Sequence, residues 1–198
     1  MVILANAIYN KAFFYAFLTC IFLSLNGCSS TSGFSPLFLK GDDESREQVL
    51  RELQCDKGQL AKGEGVMPPA LYQQMNRCIE QDNYRAATLL FSLAGTYSWY
   101  DAARVDTPLA KSQHSALLAD TLVSLSSAKR DMFWGYIQSI LGSPQQLKVV
   151  CHKIRLIGRP QYQATYMQQQ NLGREDLNAR ERWALALVSY LHCPNTGE

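Results

Sequence analysis

Apolar residues recur at helical spacing through most of the chain beyond residue 42. Leu71, Met75, Cys78 and Ile79 follow the spacing i, i+4, i+7, i+8, which places them on one face of a helix. After residue 28 no segment alternates with a period of two, and no Asn-Gly or Asp-Gly pair signals a tight hairpin. The pattern predicts an all-α protein, a single compact bundle of about six or seven antiparallel helices.

Capping and helix-breaking residues set the expected boundaries in the first half of this region. Asp42 and Asp43 are the expected caps of a short first helix. Gln81–Asn83 offers a break and a new cap, and the helix that follows is expected to end at Gly95, a natural C-terminal residue. Asp106–Pro108 combines a capping side chain with a proline suited to the first helical position, so another helix is expected there.

The second half is predicted in the same way. The helix after Pro108 carries apolar residues on two sides, which predicts a central position in the bundle. Ser126 or Ser127 is expected to cap the next helix, and Gly158 to end the one after it. The last helix is expected from about Asp176 to His192.

One predicted helix pair has a sequence pattern known from helical repeat proteins. The segment Cys78–Ala94 resembles the second half of a tetratricopeptide or Sel1-like unit, with Tyr84 and Ala87 at the matching positions. A second copy about 34 residues further on would begin near Gln113, and none is present there. The resemblance therefore implies a single antiparallel helix pair rather than a repeat array.

The N-terminal region differs from the rest of the chain. Lys11 is its charged side chain, and an apolar run from Ala12 to Leu25 follows. That run has the length of a secretory signal core and is short for a spanning helix, which needs about 20 apolar residues. Extending it back through Val2–Ile8 gives an interrupted span, so an uncleaved N-terminal anchor is the alternative.

The residues after this run carry a family resemblance. Leu25, Asn26, Gly27 and Cys28 resemble the lipobox of bacterial lipoproteins. The resemblance implies a diacylglyceryl group on the Cys28 thiol, cleavage after Gly27 and acylation of the new amino group. Ser29, where aspartate would imply the inner membrane, implies an outer-membrane lipoprotein facing the periplasm. The alternative is an ordinary loop cysteine at position 28.

This resemblance sets the expected domain organisation. Residues 1–27 are expected to be a cleaved signal peptide, and residues 28–41, whose start is rich in Ser, Thr and Gly, a lipidated flexible tether. Residues 42–198 are expected to form the helical periplasmic domain. The membrane is then a partner through the lipid anchor.

Four of the six cysteines remain after Cys20 is assigned to the signal peptide and Cys28 to the lipid. An even remainder in an oxidising compartment predicts two disulfides. The candidates, which allow three connectivities, are Cys55, Cys78, Cys151 and Cys193. Pairing Cys55 with Cys78 and Cys151 with Cys193 is favoured, because each bond would link an element to a near neighbour.

Charge and motifs narrow the function classes. The net charge is +2 and no Lys/Arg cluster is present, so a nucleic-acid surface is not expected. The chain has no HExxH, GxSxG or P-loop motif, and its acidic pairs stand at predicted helix starts. We therefore expect no enzymatic activity, no metal, no cofactor and no small-molecule substrate.

Two segments concentrate aromatic and charged residues of the kinds that protein interfaces favour. The candidate partner-binding residues are Tyr97, Trp99, Tyr100, Asp101 and Arg104 in the first segment, and Tyr162 and Tyr166 in the second. The competing interpretation has the first set of aromatics filling the core beside a local Asp101–Arg104 ion pair. The second segment is then an ordered connector.

These observations predict a membrane-anchored, non-catalytic module that binds a periplasmic protein. The helical body, preceded by the lipobox, resembles helical periplasmic immunity lipoproteins, which implies a toxin as the partner. The alternative hypothesis is a structural accessory lipoprotein of a cell-envelope or secretion assembly. An enzyme acting on peptidoglycan or lipid is a weaker hypothesis, because the sequence nominates no nucleophile and no acid/base pair.

Overall fold

The computed structural model describes residues 45–55, 66–105, 107–167 and 178–194, all within a compact unit that spans residues 38–198. These residues form helices and connecting turns with no strand, which confirms the all-α prediction. The helices are α1 (Arg46–Glu52), α2 (Pro68–Glu80), α3 (Tyr84–Val105), α4 (Pro108–Val123), α5 (Ser127–Leu141), α6 (Pro144–Ile157) and α7 (Ala179–Ser189), with a 3₁₀ turn at Thr165–Met167.

The centre of the bundle is α3, against which α2, α4, α5, α6 and α7 all pack. The predicted end at Gly95 is wrong, because the helix continues through it to Val105. Gly95 serves close packing instead: a Cβ at this position would overlap the hydroxyl and ring of Tyr190.

The composition of α3 explains its central position. Between Arg85 and Asp101 it carries no charged residue, so all of its faces can be buried. The hydroxyls of Thr88, Ser92 and Thr96 donate to backbone carbonyls one turn earlier, at 2.7–2.8 Å. These bonds satisfy the buried polar groups inside the helix.

The helix α4 is peripheral, so its predicted central position is wrong. It fully buries Ala110 and Leu122. Leu109 and Val123, in contrast, are 60% and 77% exposed. The apolar residues on two sides of this helix therefore do not correspond to two buried faces.

Side-chain caps define several helix starts. Ser45 accepts a hydrogen bond from the Gln48 amide at 3.2 Å and caps α1, whereas Asp42 and Asp43, the expected caps, lie outside the described residues. Thr107 caps α4 by accepting from the Ala110 amide at 3.1 Å, directly before Pro108, which confirms the start predicted from Asp106–Pro108.

Other predicted boundaries are confirmed. Asp82 has a positive φ of 57°, and Asn83 accepts from the Ala86 amide at 3.2 Å, so the chain breaks and restarts between α2 and α3. Ser126 caps α5. Gly158, with φ 83°, ends α6 in a backbone conformation that suits glycine.

The four cysteines pair as the sequence favours. Cys55 bonds to Cys78, with their Cα atoms 5.1 Å apart, and joins the segment after α1 to α2. Cys151 bonds to Cys193, with Cα atoms 5.7 Å apart, and joins α6 to the segment after α7.

A buried ion network fixes α1. The Lys153 ammonium on α6 is almost fully buried and lies 2.9 Å from Oε1 of Glu52 at the end of α1. Arg85 at the start of α3 reaches the other oxygen of the same carboxylate at 2.6 Å. Glu52 thus ties three helices together, and the paired charges offset much of the cost of burying Lys153.

The last helix, α7, is shorter than predicted, and Leu177 of its expected apolar face lies outside the described residues. It buries Ala186 and Leu187, followed by Leu191. Its Trp183 ring makes edge contacts with Tyr97 and Tyr100 of α3, at centroid distances of 5.9 and 6.3 Å. None of the helices in the described ranges is long and apolar enough to cross a bilayer.

Candidate functional site

A groove lies between α3, α4 and α7 and encloses a volume of about 580 Å³. That volume falls within the range of ligand-binding clefts, roughly 300–1,000 Å³. Its lining residues are Trp99, Ala102 and Ala103 from α3, His114 from α4, and Asn178, Glu181, Arg182 and Leu185 at and along α7.

The groove combines an apolar base with a polar rim. Trp99 is half-buried, and Leu185 is 52% exposed although it is a large apolar side chain. The charged rim residues are Glu181 and Arg182, and the Arg182 guanidinium lies 5.9 Å from the centre of the Tyr100 ring. Trp and Arg are enriched among the residues that dominate the binding energy of protein interfaces, and the groove contains one of each, Trp99 and Arg182.

The structure separates the candidate residues of the first segment. Tyr97, Tyr100 and Asp101 are buried, which supports the core interpretation for these three. Arg104 forms the expected local ion pair with Asp101, with Nη2 2.8 Å from Oδ1. Trp99 is the member of this set that reaches the groove.

The second segment meets the first at Asp101. The hydroxyls of Tyr162 and Tyr166 both donate to Oδ2 of Asp101, each at 2.8 Å. Burial raises the pKa of the Asp101 carboxyl to about 6, against the opposing effect of Arg104 and the two tyrosine hydrogen bonds. Burial and the neighbouring carboxylate raise the pKa of both tyrosines far above its usual range.

Residues 158–167, which we call the strap, are fastened along their whole length. Tyr97 donates to the Gly158 carbonyl at 2.9 Å, Arg104 to the Tyr162 carbonyl at 3.2 Å, and Gln113 to the Tyr166 carbonyl at 2.8 Å. A small apolar cluster completes the attachment, formed by Ala102, Ala110, Ala164 and Met167. Residues 158–167 thus pack against α3 and α4, an arrangement that favours the connector interpretation of the second segment.

A serine–histidine pair that the sequence does not indicate lies behind the groove. The Ser98 hydroxyl is hydrogen-bonded to Nδ1 of His114, and the Tyr190 ring stands perpendicular to the imidazole at 5.1 Å. Sixteen positions separate the pair, so no local motif could have revealed it.

This pair lacks the features of a nucleophilic site. Ser98 is fully buried, so its hydroxyl has no path to a substrate. No carboxylate in the described part of the chain orients the His114 imidazole. Burial lowers the pKa of His114, which keeps the imidazole neutral near pH 7. Ser98 therefore positions a neutral histidine in the groove wall.

The remaining histidines stand apart. His152 and His192 are exposed beside the two bonded cysteines Cys151 and Cys193. Within the ranges given above, no group of three His, Cys, Asp or Glu side chains is arranged to hold a metal ion.

No protein-family model, curated protein or solved structure matches this chain. The features on which a function can rest are therefore its own: the groove, the two disulfides and the N-terminal sequence.

Proposed function

We propose that this chain is a membrane-anchored periplasmic lipoprotein that binds a protein partner without catalysing a reaction. The observation that carries the binding role is the groove between α3, α4 and α7, with Trp99 and Leu185 in its wall. Trp and Arg side chains near the centre of an interface often contribute much of its binding energy, and Trp99 and Arg182 both line this groove.

The two disulfides support the proposed periplasmic location. Disulfides persist in oxidising compartments such as the periplasm, and the four cysteines of the helical domain pair with one another. The domain therefore requires no bond from Cys28, whose surroundings Leu25–Gly27 favour lipidation. Two or more acyl chains make membrane anchoring stable, since each buried CH₂ contributes about 0.8 kcal/mol.

Within this role we propose immunity as the specific function. A small tethered domain with a groove suits capture of one toxin in the periplasm, and binding across the toxin's working surface would inactivate it by occlusion. The partner expected on this hypothesis is encoded by the adjacent gene.

The test is co-expression of the full chain with the adjacent gene product exported to the periplasm, with cell survival as the readout. We expect protection by the wild-type chain. Leu185→Glu, which places a charge in the groove, should lose protection. Met132→Glu on α5 is the matched control, because Met132 is 56% exposed but lies away from the groove, and it should protect as the wild type does.

The outcomes separate the parts of the proposal. An absence of both protection and binding counts against immunity. Equal loss in the two glutamate variants counts against the groove as the binding surface. Circular dichroism of both variants checks that each is folded.

A second candidate is a structural accessory lipoprotein of an envelope assembly, favoured by the tetratricopeptide-like pair of α2 and α3, which pack along each other. A crosslinked pull-down distinguishes the two candidates. Recovery of several envelope proteins together favours the accessory role, and recovery of one small partner favours immunity.

A further inference from the structure

We propose that the strap, residues 158–167, is a proton-linked latch. In mild acid its seating on α3 encloses the Asp101 carboxyl together with a proton, and its release returns that carboxyl to water and frees the proton. This inference concerns the free protein and stands whether or not the proposed partner exists.

The strap has little regular structure of its own, since the 3₁₀ turn Thr165–Met167 is its sole helical element. Three of its backbone carbonyls accept hydrogen bonds from Tyr97, Arg104 and Gln113, and two of its side chains meet at one carboxylate. Tyr162 and Tyr166 both donate to the same oxygen of Asp101 at 2.8 Å, so one carboxylate anchors two side chains of the strap.

Two hydroxyls of the strap lie against the buried Asp101 carboxyl. The carboxyl is fully buried, and Arg104, its other partner, lies on the same helix and remains 19% exposed. Because both donors to Oδ2 belong to the strap, we expect their departure to open this oxygen to water while Arg104 stays beside Oδ1 on α3.

The Asp101 carboxyl holds a proton more tightly when it is buried than when it is exposed to water. In the seated state the pKa of Asp101 is about 6, above its ordinary value of 3.8. Between these two pH values the seated state holds a proton that the released state lacks. Release therefore becomes easier as pH rises through this window, by up to about tenfold per pH unit, and levels off above it. The latch is tighter in acid.

The side chains around Asp101 are consistent with assigning the bound proton to its carboxyl. Tyr97 on α3, Tyr72 on α2 and the two strap tyrosines all have a pKa raised above 10, so none of them titrates between pH 4 and 7. The surrounding cations are arginines: Arg104 on α3, Arg46 from α1 beside Tyr97, and Arg182 of α7 over Tyr100. Gln113, the α4 side chain that reaches the strap, is neutral.

Two other acid-range side chains lie nearby, Glu181 of α7 and His114 of α4, which line the groove beside Ala102; the effect of His114 has the opposite sign. Burial lowers its pKa below the ordinary 6.5, so unfolding or opening takes up a proton there. Its contribution to stability therefore grows as pH rises. In a His114→Gln variant, protection of the strap against hydrogen exchange should still be greater at lower pH.

The test is amide hydrogen exchange of the full chain between pH 4 and 7, corrected for intrinsic exchange. The probe is the Met167 amide, which donates to the Ala164 carbonyl at 3.1 Å, compared with amides in the middle of α3. We expect strap protection to fall up to about tenfold per pH unit between pH 4 and 6, with faster exchange than in α3.

Asp101→Asn keeps an oxygen that can accept from the tyrosines but cannot titrate, and it should abolish the pH dependence. Asp131→Asn, at an exposed position on α5, should leave the dependence unchanged. Flat protection in the wild-type chain, or the same slope in Asp101→Asn, overturns the proposal. So does strap exchange that always equals that of α3, since release would then require global unfolding.

A second measurement needs no variant. Carbon-13 titration of the Asp101 carboxyl in the folded wild-type chain should give a midpoint well above the ordinary 3.8. A midpoint at or below that value contradicts the latch even where Asp101→Asn fails to fold.

Discussion

Gly95 and Tyr190 show how one residue can decide the seating of a whole helix. Glycine in a helix interior usually destabilises it by about 0.5–1 kcal/mol relative to alanine. Here the missing side chain makes room for the Tyr190 ring, which also contacts Phe91 and His114. From the sequence alone this glycine predicts a helix end. Its actual role is not visible there, because Tyr190, which occupies the space, lies 95 positions away.

Gly95→Ala should therefore destabilise the protein by about 1–3 kcal/mol, the usual effect of overpacking a core. The matched control is Gly135→Ala in α5, where an added Cβ meets no atom within 4 Å. The control should stabilise by about 0.5–1 kcal/mol through the higher helix propensity of alanine. Urea unfolding of both variants measures the difference, and similar free energies of unfolding would show that Tyr190 does not occupy this space.

Asp101, Arg104, Tyr162 and Tyr166 form a cluster of which sequence spacing predicts only one contact. The Asp101–Arg104 pair is separated by three positions on one helix and can be predicted from the sequence. The tyrosines that complete the cluster lie 61 and 65 positions further on. Their role depends on the path of the strap, which no local pattern specifies.

At the scale of the helices, the sequence predicts where each element begins more reliably than which face it buries. Helix starts depend on neighbouring residues, as Ser126 and Pro144 illustrate. Burial depends on how many helices pack around each one. α4 is apolar on two sides yet peripheral, because α3 occupies the centre of the bundle.

Two adjacent residues on α4 test this assignment. Leu122→Ala should cost about 2–5 kcal/mol, because the side chain is buried. Val123→Ala should change the free energy of unfolding by less than about 0.5 kcal/mol, because Val123 is 77% exposed. Chemical denaturation gives both values, and a large loss at Val123 would show that this face of α4 is covered.

The two disulfides should differ in which helices they stabilise. Replacing either pair by alanine should remove about 2–4 kcal/mol of stability. Loss of Cys151–Cys193 should also free the end of α7, since Cys193 lies four residues beyond the last residue of that helix. Hydrogen exchange should then rise in α7 more than in α3, whereas loss of Cys55–Cys78 should spare α7. Equal exchange of α7 in both variants would contradict this.

For the whole molecule, we propose a helical domain joined to a lipid anchor. The fold class and the cysteine pairing follow from periodicity and from the position of each cysteine among the predicted helices. The groove does not, because it forms between α3, α4 and α7, and the contacts of Trp183 and Tyr190 that seat α7 span long stretches of sequence. Trp99 is the one predicted candidate residue in its wall.

The central claim is that the chain works from a membrane through Cys28. Its most direct test is mass spectrometry of the full chain purified from the membranes of a Gram-negative host, with Cys28→Ser as the control. We predict a mature N-terminus at Cys28 that carries a diacylglyceryl thioether and an amide-linked acyl chain, and a Cys28→Ser variant without lipid. A chain that retains residues 1–27, or one with an unmodified Cys28, would contradict the account.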